Sequence, residues 1–589
     1  KDKEIKNAES FKDEPSLLQA FKDIIIKYDP DIITGWNVID FDIKFLKEKF
    51  KKYKIKFDIG RDDKEGRIYQ RESFFTESKA ILHGRMVLDG ISLLKNSFIK
   101  LENYKLETAA KSFTSSEKIF QGKDRYKQID NAYKENPQTF IAYNLLDAKL
   151  ALQIIEKSNT LPLTIERSII TGLQLDSVRG SIAALDSLYL RETKKRKLVT
   201  PTSNYGEREE RITGGFVRES KPGIYDNIII LDFKSLYPSL IKTFNIDPYS
   251  FVSDPKKHKK SDLIQAPNKA HFLKKEGILP LIIQHLWNQR DKAKKSKDEL
   301  TSYAIKILMN SFFGVLANPM CRFYSIDIAN AITHFGQAMV KLSATESEKL
   351  GFEVIYGDTD SIFVKSNQDS YKEALKKGKL LEQALNQFFK SYIKKEYSMK
   401  SYLELEFEKV FKKFFMPHLR GSARGAKKRY AGLVEKDNKD VLEFTGLEFV
   451  RSDWTDIAKE FQKTLLMKLF KGEKIEKFIY DFTQELKDHH HDDLLIYRKS
   501  IRKPVEEYTK TTPPHIKAAR KIGRKGTGLI EYIITVNGPE PIEAKRSRVD
   551  YDHYINKQIK PIADSLLIFF NKTFEDCLKK GSQKSLSDF

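Results

Sequence analysis

The chain has 589 residues, 40% hydrophobic and 32% charged, enough for several domains with buried cores. Two cysteines, Cys321 and Cys577, exclude a disulfide scaffold and a cysteine-based zinc site and fit a reducing cytoplasm, and no apolar run reaches the roughly 18 residues that a membrane-spanning helix needs. Lys and Arg exceed Asp and Glu by 23 (105 against 82), a balance that suits an anionic polymer, because these cations displace counterions from phosphates.

The chain opens on Lys1, and Lys1–Asn7 resembles no domain start, so the sequence reads as cut at its N-terminus. Residues 14–50 read as helix, strand and helix, with DPDIITGWN forming the strand and its exit. A further helix is expected over 138–157, and the polar stretch Lys194–Arg211 reads as a linker. Asn227–Phe233 (NIIILDF) has the continuous apolar character of a fully buried strand. Residues 254–262 form a basic loop, and Leu281–Ser296 with Leu300–Phe312 form a helical hairpin. A strand hairpin follows at 352–364, and residues 402–415 alternate like a strand. From about 446 the chain reads as mainly helical and basic, with turn signals at Pro513-Pro514 and Gly538-Pro539. There are no internal repeats. His489–His491 with Asp492 form a run of metal-binding residue types, but exposed loops often carry such runs and no partner spacing supports a metal site.

Three carboxylates stand out. Asp358 and Asp360 sit at the tip of the apolar hairpin FEVIYGDTDSIFV. Gly, Asp, Thr and Ser are turn formers, so a plain turn accounts for part of this pattern. Two charges about 4 Å apart repel by roughly 4 kcal/mol at an effective dielectric of 20, and a cation between them removes that cost. Oxygen ligands alone suit Mg²⁺, which shares its coordination with substrate phosphates. Asp232 ends the apolar run Ile228–Leu231, where an unpaired buried carboxylate is costly. If the strands of Asp232 and Asp358 are neighbours, their backbones lie about 4.8 Å apart and two metals about 3.5–4 Å apart can bridge them. After Asp232, Ser235 can cap a helix and Pro238 suits its first turn.

DFKSLYPS (232–239) resembles the first polymerase motif of the family B DNA polymerases, KILMNSFFG (306–314) the second and YGDTDS (356–361) the third, in the right order. The flanking stretches KKRYAGL, GLEFVRSDW, PPHIKAAR and NGPEP place the resemblance in the bacterial, repair-associated branch and extend it over nearly the whole chain. The resemblance implies a multidomain α/β and α+β fold. A right-hand polymerase with palm, fingers and thumb would follow a partial RNase H-like 3′→5′ exonuclease domain. The expected boundaries are 1–160 for the exonuclease part, 161–211 for a linker region, 212–255 and 334–445 for the palm, 256–333 for the fingers, and 446–589 for the thumb and tail.

It also implies roles. Asp232 and Asp358 would hold two Mg²⁺ ions, with Mn²⁺ as a substitute, and Asp360 would support the site. The backbone N–H groups of Phe233, Lys234, Ser235 and Leu236 would bond phosphate oxygens, and Tyr237 would stack under the incoming sugar and exclude a 2′-hydroxyl. Arg290 with Lys294, and Lys306 with Asn310, lie four apart on two helices and would grip the triphosphate. Phe313 replaces the usual Tyr against the nascent base pair, next to Gly314, and removes a hydroxyl there. Lys427, Lys428, Arg429 and Tyr430, after the loop GSARGA, resemble the duplex-gripping motif. Gly214 and Gly215 resemble a small loop between exonuclease and polymerase, in which Ile212 replaces the expected Tyr. The implied partners would be primer–template DNA and dNTPs. Gln583, Leu586 and Phe589 resemble a sliding-clamp tail, and the chain would act as a monomer in the bacterial cytoplasm, at the nucleoid.

GWNVIDFD (35–42) resembles the second exonuclease motif, and YNLLD (143–147) the third, so Asp42 and Asp147 would bind metal and Tyr143 would orient a water. The first motif, Asp-x-Glu on a buried strand, is missing. Asp2-Lys3-Glu4 has its letters without its setting, so exonuclease activity is expected to be impaired. The competing readings are a catalytically silent DNA-binding scaffold, which would have lost Asp232 or Asp358, and a nuclease with a vestigial polymerase half, which the missing acids oppose.

Overall fold

The computed structural model describes residues 6–69, 78–101, 103–114, 119–120, 125–178, 180–203, 212–509 and 512–579. Asp2 and Glu4, and the tail residues Gln583, Leu586 and Phe589, lie outside them. The chain divides into two compact units. The first is Lys1–Ile212 with Asn245–Leu263 and His271–Ala329; the second is Thr213–Phe244 with Ile264–Ala270 and Asn330–Phe589.

In the first unit, helix Glu14–Tyr28 starts where Asp13 accepts the N–H of Ser16 at 2.8 Å, with Pro15 in its first turn. Four strands follow in the order Ile32–Gly35, Arg85–Asp89, Lys79–Leu82, Arg67–Tyr69; the first pair is parallel and the others antiparallel. Leu18, Ile39, Ile43, Phe50, Phe57 and Val87 form one core against this sheet. Helix Pro137–Lys157 is capped by Asn136, and Thr160–Thr171 and Ser181–Lys195 follow. The helical hairpin expected as fingers is Ile278–Lys295 and Glu299–Leu316, turned at Asp298, whose carboxylate accepts the N–H of Thr301 at 3.0 Å. It groups with the N-terminal residues. Within the unit, Arg322 grips Asp186 through two N–H groups at 2.6 and 3.1 Å.

The second unit is built on seven antiparallel strands. Their order is Lys439–Thr445, Tyr430–Lys436, Leu405–Met416, Gly223–Phe233, Ser361–Lys365, Glu353–Asp358, Val217–Arg218. Ile228–Leu231 in the central strand are at most 2% exposed, as an apolar run without alternation requires. Helix Tyr371–Tyr397 covers one face: Asn386 exchanges two hydrogen bonds with the backbone of Leu405, at 2.8 and 2.9 Å, and the ring of Phe389 meets that of Phe233. Asp437 and Asn438, both with positive φ, turn the hairpin that adds the last two strands. Residues after 446 are not purely helical. Besides helices Asp456–Phe470 and Ile475–Lys487 they form a three-stranded antiparallel sheet of Tyr497–Ile501, Gly528–Thr535 and Gly538–Pro541. The expected turn at Gly538-Pro539 is the start of a strand, because Gly538 with φ 83° closes a tight hairpin. Among the described residues no helix is long and apolar enough to cross a membrane.

Candidate active site

The hairpin of Asp358 and Asp360 pairs Glu353–Asp358 with Ser361–Lys365 through the two-residue turn Thr359-Asp360, with Thr359 at φ 54°. The middle strand also pairs with Gly223–Phe233, in a register that sets Ser361 opposite Asp232. On the far side of Asp232, Glu406 stands opposite it. One row therefore crosses the sheet: Glu406, Asp232, Ser361, Asp358, Val217. Directly opposed residues present their side chains to one face. Asp232 and Asp358 thus share a face, but their strands are not neighbours. Ser361 separates them, and two strand spacings make about 9.6 Å between backbones rather than about 4.8 Å.

Thr359 donates its hydroxyl to Asp358 at 3.0 Å, and its N–H to the carbonyl of Phe216 at 2.8 Å. Gly215 lies so close that a Cβ there would stand 2.9 Å from Thr359 Cγ2, which explains a glycine in the Thr213-Gly214-Gly215 loop. Gly214 accepts the amide of Gln337 at 2.8 Å. Burial, then the charge of Asp358, push the Asp360 carboxyl above its ordinary range; burial, then Asp360, push the Tyr237 hydroxyl up. Tyr237 lies in helix Leu236–Thr243, with Pro238 in the first turn as expected. Ser235 makes no side-chain cap; its backbone is left-handed at φ 50°. Two of the four amides expected to bond phosphate are committed elsewhere: Phe233 donates to the carbonyl of Asp360 at 2.8 Å and Lys234 to that of Glu404 at 2.9 Å.

Asp358 faces a cation. Lys428 Nζ lies 2.7 Å from its Oδ1, while the Lys428 N–H donates to the hydroxyl of Tyr356 at 2.9 Å. The rest of this basic segment divides. Lys427 is exposed. Arg429 turns inward to Glu448, which also takes Arg420 at 3.0 Å and Gln462 at 2.8 Å, and Tyr430 packs on Phe363 and Phe414. Glu404 and Glu406, not singled out in the sequence, hold Lys234 Nζ at 3.1 and 3.2 Å beside Asp232. Their alternation in YLELEFE was the signal, but only the register places them.

In the first unit, Lys306, Asn310 and Gly314 form an exposed line on helix Glu299–Leu316, and with Tyr303 and Ser311 they line an open groove. Phe313 is half-buried on the same helix. Arg290 and Lys294 share a face of helix Ile278–Lys295, and Arg290 Nε is buried without a hydrogen-bond partner among the described residues. Asp42 lies exposed on a π-helical turn, Ile39–Ile43; Tyr143 and Asp147 lie one turn apart on helix Pro137–Lys157, with Tyr143 against Phe120. Asp89 was missed: it accepts the N–H groups of Ile91 and Ser92, and burial, aided in small part by the charge of Asp40, raises its carboxyl against the backbone hydrogen bonds of Ser92, Val38 and Ile91.

His489 bonds the hydroxyl of Tyr551, and His491 bonds Glu485 at 3.2 Å and stacks on Phe482. Among the described residues, no group of three or more His, Cys, Asp or Glu side chains is gathered to hold a metal ion. The donor set of the row, carboxylates on one face with an ammonium seated against one of them, fits a hard divalent cation.

Residues 178–567 match the model of DNA polymerase family B, and residues 1–109 that of the DNA polymerase family B exonuclease domain. The chain is 37% identical to DNA polymerase II of Escherichia coli (strain K12), over 95% of this chain and 73% of that protein. It is 28% identical to the DNA polymerases of Desulfurococcus sp. (strain Tok) and Thermococcus gorgonarius, in each case over 96% of this chain and 74% of the other. The mixture of helical and sheet elements agrees with the multidomain right-hand fold. With a polymerase model across about two thirds of its length and a relative 37% identical over nearly the whole chain, the chain belongs to the family B DNA polymerases.

Proposed function

We propose that the row Asp232–Ser361–Asp358 is the catalytic floor on which this chain performs DNA-templated DNA synthesis. The activity follows from the family: the chain is a DNA-directed DNA polymerase, its substrates are primer–template DNA and dNTPs, and such enzymes depend on divalent metal. The single observation that carries the assignment of the floor is the register that brings two carboxylates of separate strands to one face.

Asp232 and Asp358 would hold Mg²⁺, or Mn²⁺ in its place, with Asp360 as support. When bound, such ions lower the cost of deprotonating a primer 3′-hydroxyl and offset the charge of the triphosphate. The chain's own groups do the positioning. Arg290, Lys294, Lys306 and Asn310 bind the triphosphate; the buried Nε of Arg290 supports this. The N–H groups of Ser235 and Leu236 remain assigned to phosphate. Tyr237 lies under the sugar, and Phe313 and Gly314 pack against the nascent pair. Lys427 and Lys428 contact the duplex backbone, the loop of Gly214 and Gly215 borders it, and Arg429 and Tyr430 brace the segment from inside. The domain boundaries given above, action in repair, a monomeric state, a bacterial cytoplasmic setting and a clamp-binding tail at Gln583, Leu586 and Phe589 belong to the same proposal.

Primer extension with dNTPs and Mg²⁺ tests it. Wild type extends a labelled primer and Asp358→Ala does not; equal extension by both would refute the assignment. We also propose Asp42, Tyr143 and Asp147 as exonuclease residues of this chain, in keeping with the exonuclease-domain match at its N-terminal side. Degradation of single-stranded DNA that Asp147→Ala leaves unchanged would contradict that.

A further inference from the structure

Lys428 has a left-handed backbone, φ 57°, where a glycine would carry no strain. The conformation is enforced from three sides. Its N–H is held by the Tyr356 hydroxyl at 2.9 Å. The next residue, Arg429, is anchored to the buried Glu448. Its carbonyl is approached so closely that a Cβ on Gly446 would stand 1.9 Å away. The side chain itself is 58% exposed and contributes little burial, so packing does not account for a lysine here. What the strained position achieves is a single contact: Nζ at 2.7 Å from Asp358 Oδ1, with the Asp358 side chain 18% exposed. A strained residue kept in place by its surroundings points to a function for its side chain.

Other cations near the row are engaged elsewhere. Lys234 bridges Glu404 and Glu406, Arg218 pairs with Glu348, and Lys221 with Glu353. Among the described ion pairs, Lys428 is the partner that Asp358 has.

We propose that Lys428 is an exchangeable counter-ion of the catalytic floor. In the enzyme without DNA its ammonium sits on Asp358 and competes with the divalent cation; the proposal rests on the reading that Asp358 is a metal ligand. Lys428 is exposed and follows Lys427, so the phosphate backbone of a docked primer is the competing anion that draws it away. Metal occupancy at Asp358 is thereby coupled to DNA, and such coupling is reciprocal. Lys428 acts on the reaction through Asp358, as a positioning residue.

The test is Mn²⁺ binding to the full metal-free chain without DNA, read as free Mn²⁺ by electron paramagnetic resonance. The proteins compared are wild type, Lys428→Met, Lys428→Gln, Lys428→Arg and Asp358→Asn. A partly exposed ion pair shifts an equilibrium by about 1.5- to 5-fold. Lys428→Met and Lys428→Gln are therefore expected to tighten the Asp358-dependent site by that factor, with Lys428→Arg close to wild type. A structural role for Lys428 would instead lower the unfolding temperature equally with and without Mn²⁺, whereas displacement makes Mn²⁺ raise it more in Lys428→Met. Unchanged or weaker Mn²⁺ binding in both neutral variants, with wild-type binding still lost in Asp358→Asn, overturns the counter-ion proposal alone. Wild-type binding that Asp358→Asn leaves intact overturns the metal site and the proposal together. Primer–template with a 3′-deoxy end is expected to tighten Mn²⁺ binding by a larger factor in wild type than in Lys428→Met; an equal factor overturns the coupling.

Discussion

Asp247 is fully buried, 0% exposed, and its carboxylate is the hub from which the helix carrying Arg290 and Lys294 starts. It accepts the N–H groups of Ile278 at 3.1 Å, Leu279 and Tyr249 at 2.9 Å, and the hydroxyl of Tyr189 at 3.0 Å. Asn245 adds the N–H of Gly277 at 2.9 Å, and Gly277 is a glycine because a Cβ there would stand 2.8 Å from Asp247 Cβ. Burial raises the Asp247 carboxyl and these bonds oppose it. Asp247→Ala deprives three amides and one hydroxyl of their acceptor. Each buried group left unsatisfied costs about 1–3 kcal/mol, and water entry into the vacated space recovers part, so a local loss of about 3 kcal/mol is expected. A global melting temperature is a poor gauge in a chain of two compact units. Hydrogen exchange resolves the effect: amides 278 and 279 are expected to exchange on the order of 100-fold faster, the factor that about 3 kcal/mol of opening free energy gives. Gly277, held by Asn245, follows only if the helix start melts as a unit. The dNTP KM rises with it, because Arg290 and Lys294 lose a fixed base, and Asp247→Asn, which retains one acceptor oxygen, falls between. Exchange at 278 and 279 within threefold of wild type, in a variant that folds, would refute the hub.

Gly215→Ala places a Cβ 2.9 Å from Thr359 Cγ2 and 3.1 Å from its Oγ1, so the turn between Asp358 and Asp360 must shift. Misplacement approaching 1 Å costs a catalytic constellation up to about 100-fold, so roughly a tenfold loss of kcat in primer extension is expected, with unfolding nearly unchanged; full activity would show that the tip tolerates the push. Glu540 supplies a pH dependence in the C-terminal residues. The N–H of Arg546, then the hydroxyl and N–H of Ser547, bring its carboxyl from 4.5 down to about 2 despite burial. A depressed pKa stabilises the fold above the ordinary value, and this stabilisation is lost as pH falls from about 4.5 toward about 2. It amounts to about 3 kcal/mol at most; Glu540→Gln is expected to flatten acid unfolding followed by circular dichroism over that window, and an unchanged slope would remove Glu540 as its source.

Much of the site was legible because acids interrupt apolar strands. Asp232 after Ile228–Leu231, and Asp358 after Val354–Tyr356, announce themselves as charges the core would not otherwise hold. Elements with regular periodicity were legible too: Glu14–Tyr28, Pro137–Lys157 and the hairpin of Ile278–Lys295 and Glu299–Leu316 fall close to their expected places. What could not be read depends on pairing between distant segments. Glu406 joins the row because Leu405–Met416 pairs with Gly223–Phe233, more than 170 residues earlier, with an irregularity between Phe407 and Lys409. The inward turn of Arg429 depends on Glu448, and the seat of Lys428 depends on Tyr356 and Asp358. The sheet after residue 446 was hidden for another reason: in Gly528–Thr535 the run Tyr532–Thr535 is buried on both faces, and such a run does not alternate.

The strand between the two acids has a physical rationale of its own. Carboxylates on adjacent strands, about 5 Å apart, would repel by roughly 3 kcal/mol at an effective dielectric of 20, and doubling the distance halves that. Ser361 is the smallest hydroxyl that can occupy the intervening position, and its own hydroxyl turns back to the carbonyl of Asp358 at 3.2 Å. The row leaves between its two acids the room that the proposed divalent cations would need and that adjacent strands would crowd. At its ends, Lys234 beside Glu406 and Lys428 on Asp358 supply positive charge at the same two flanks. Before substrate arrives, these two ammonium groups offset part of the negative charge that the row gathers on one face.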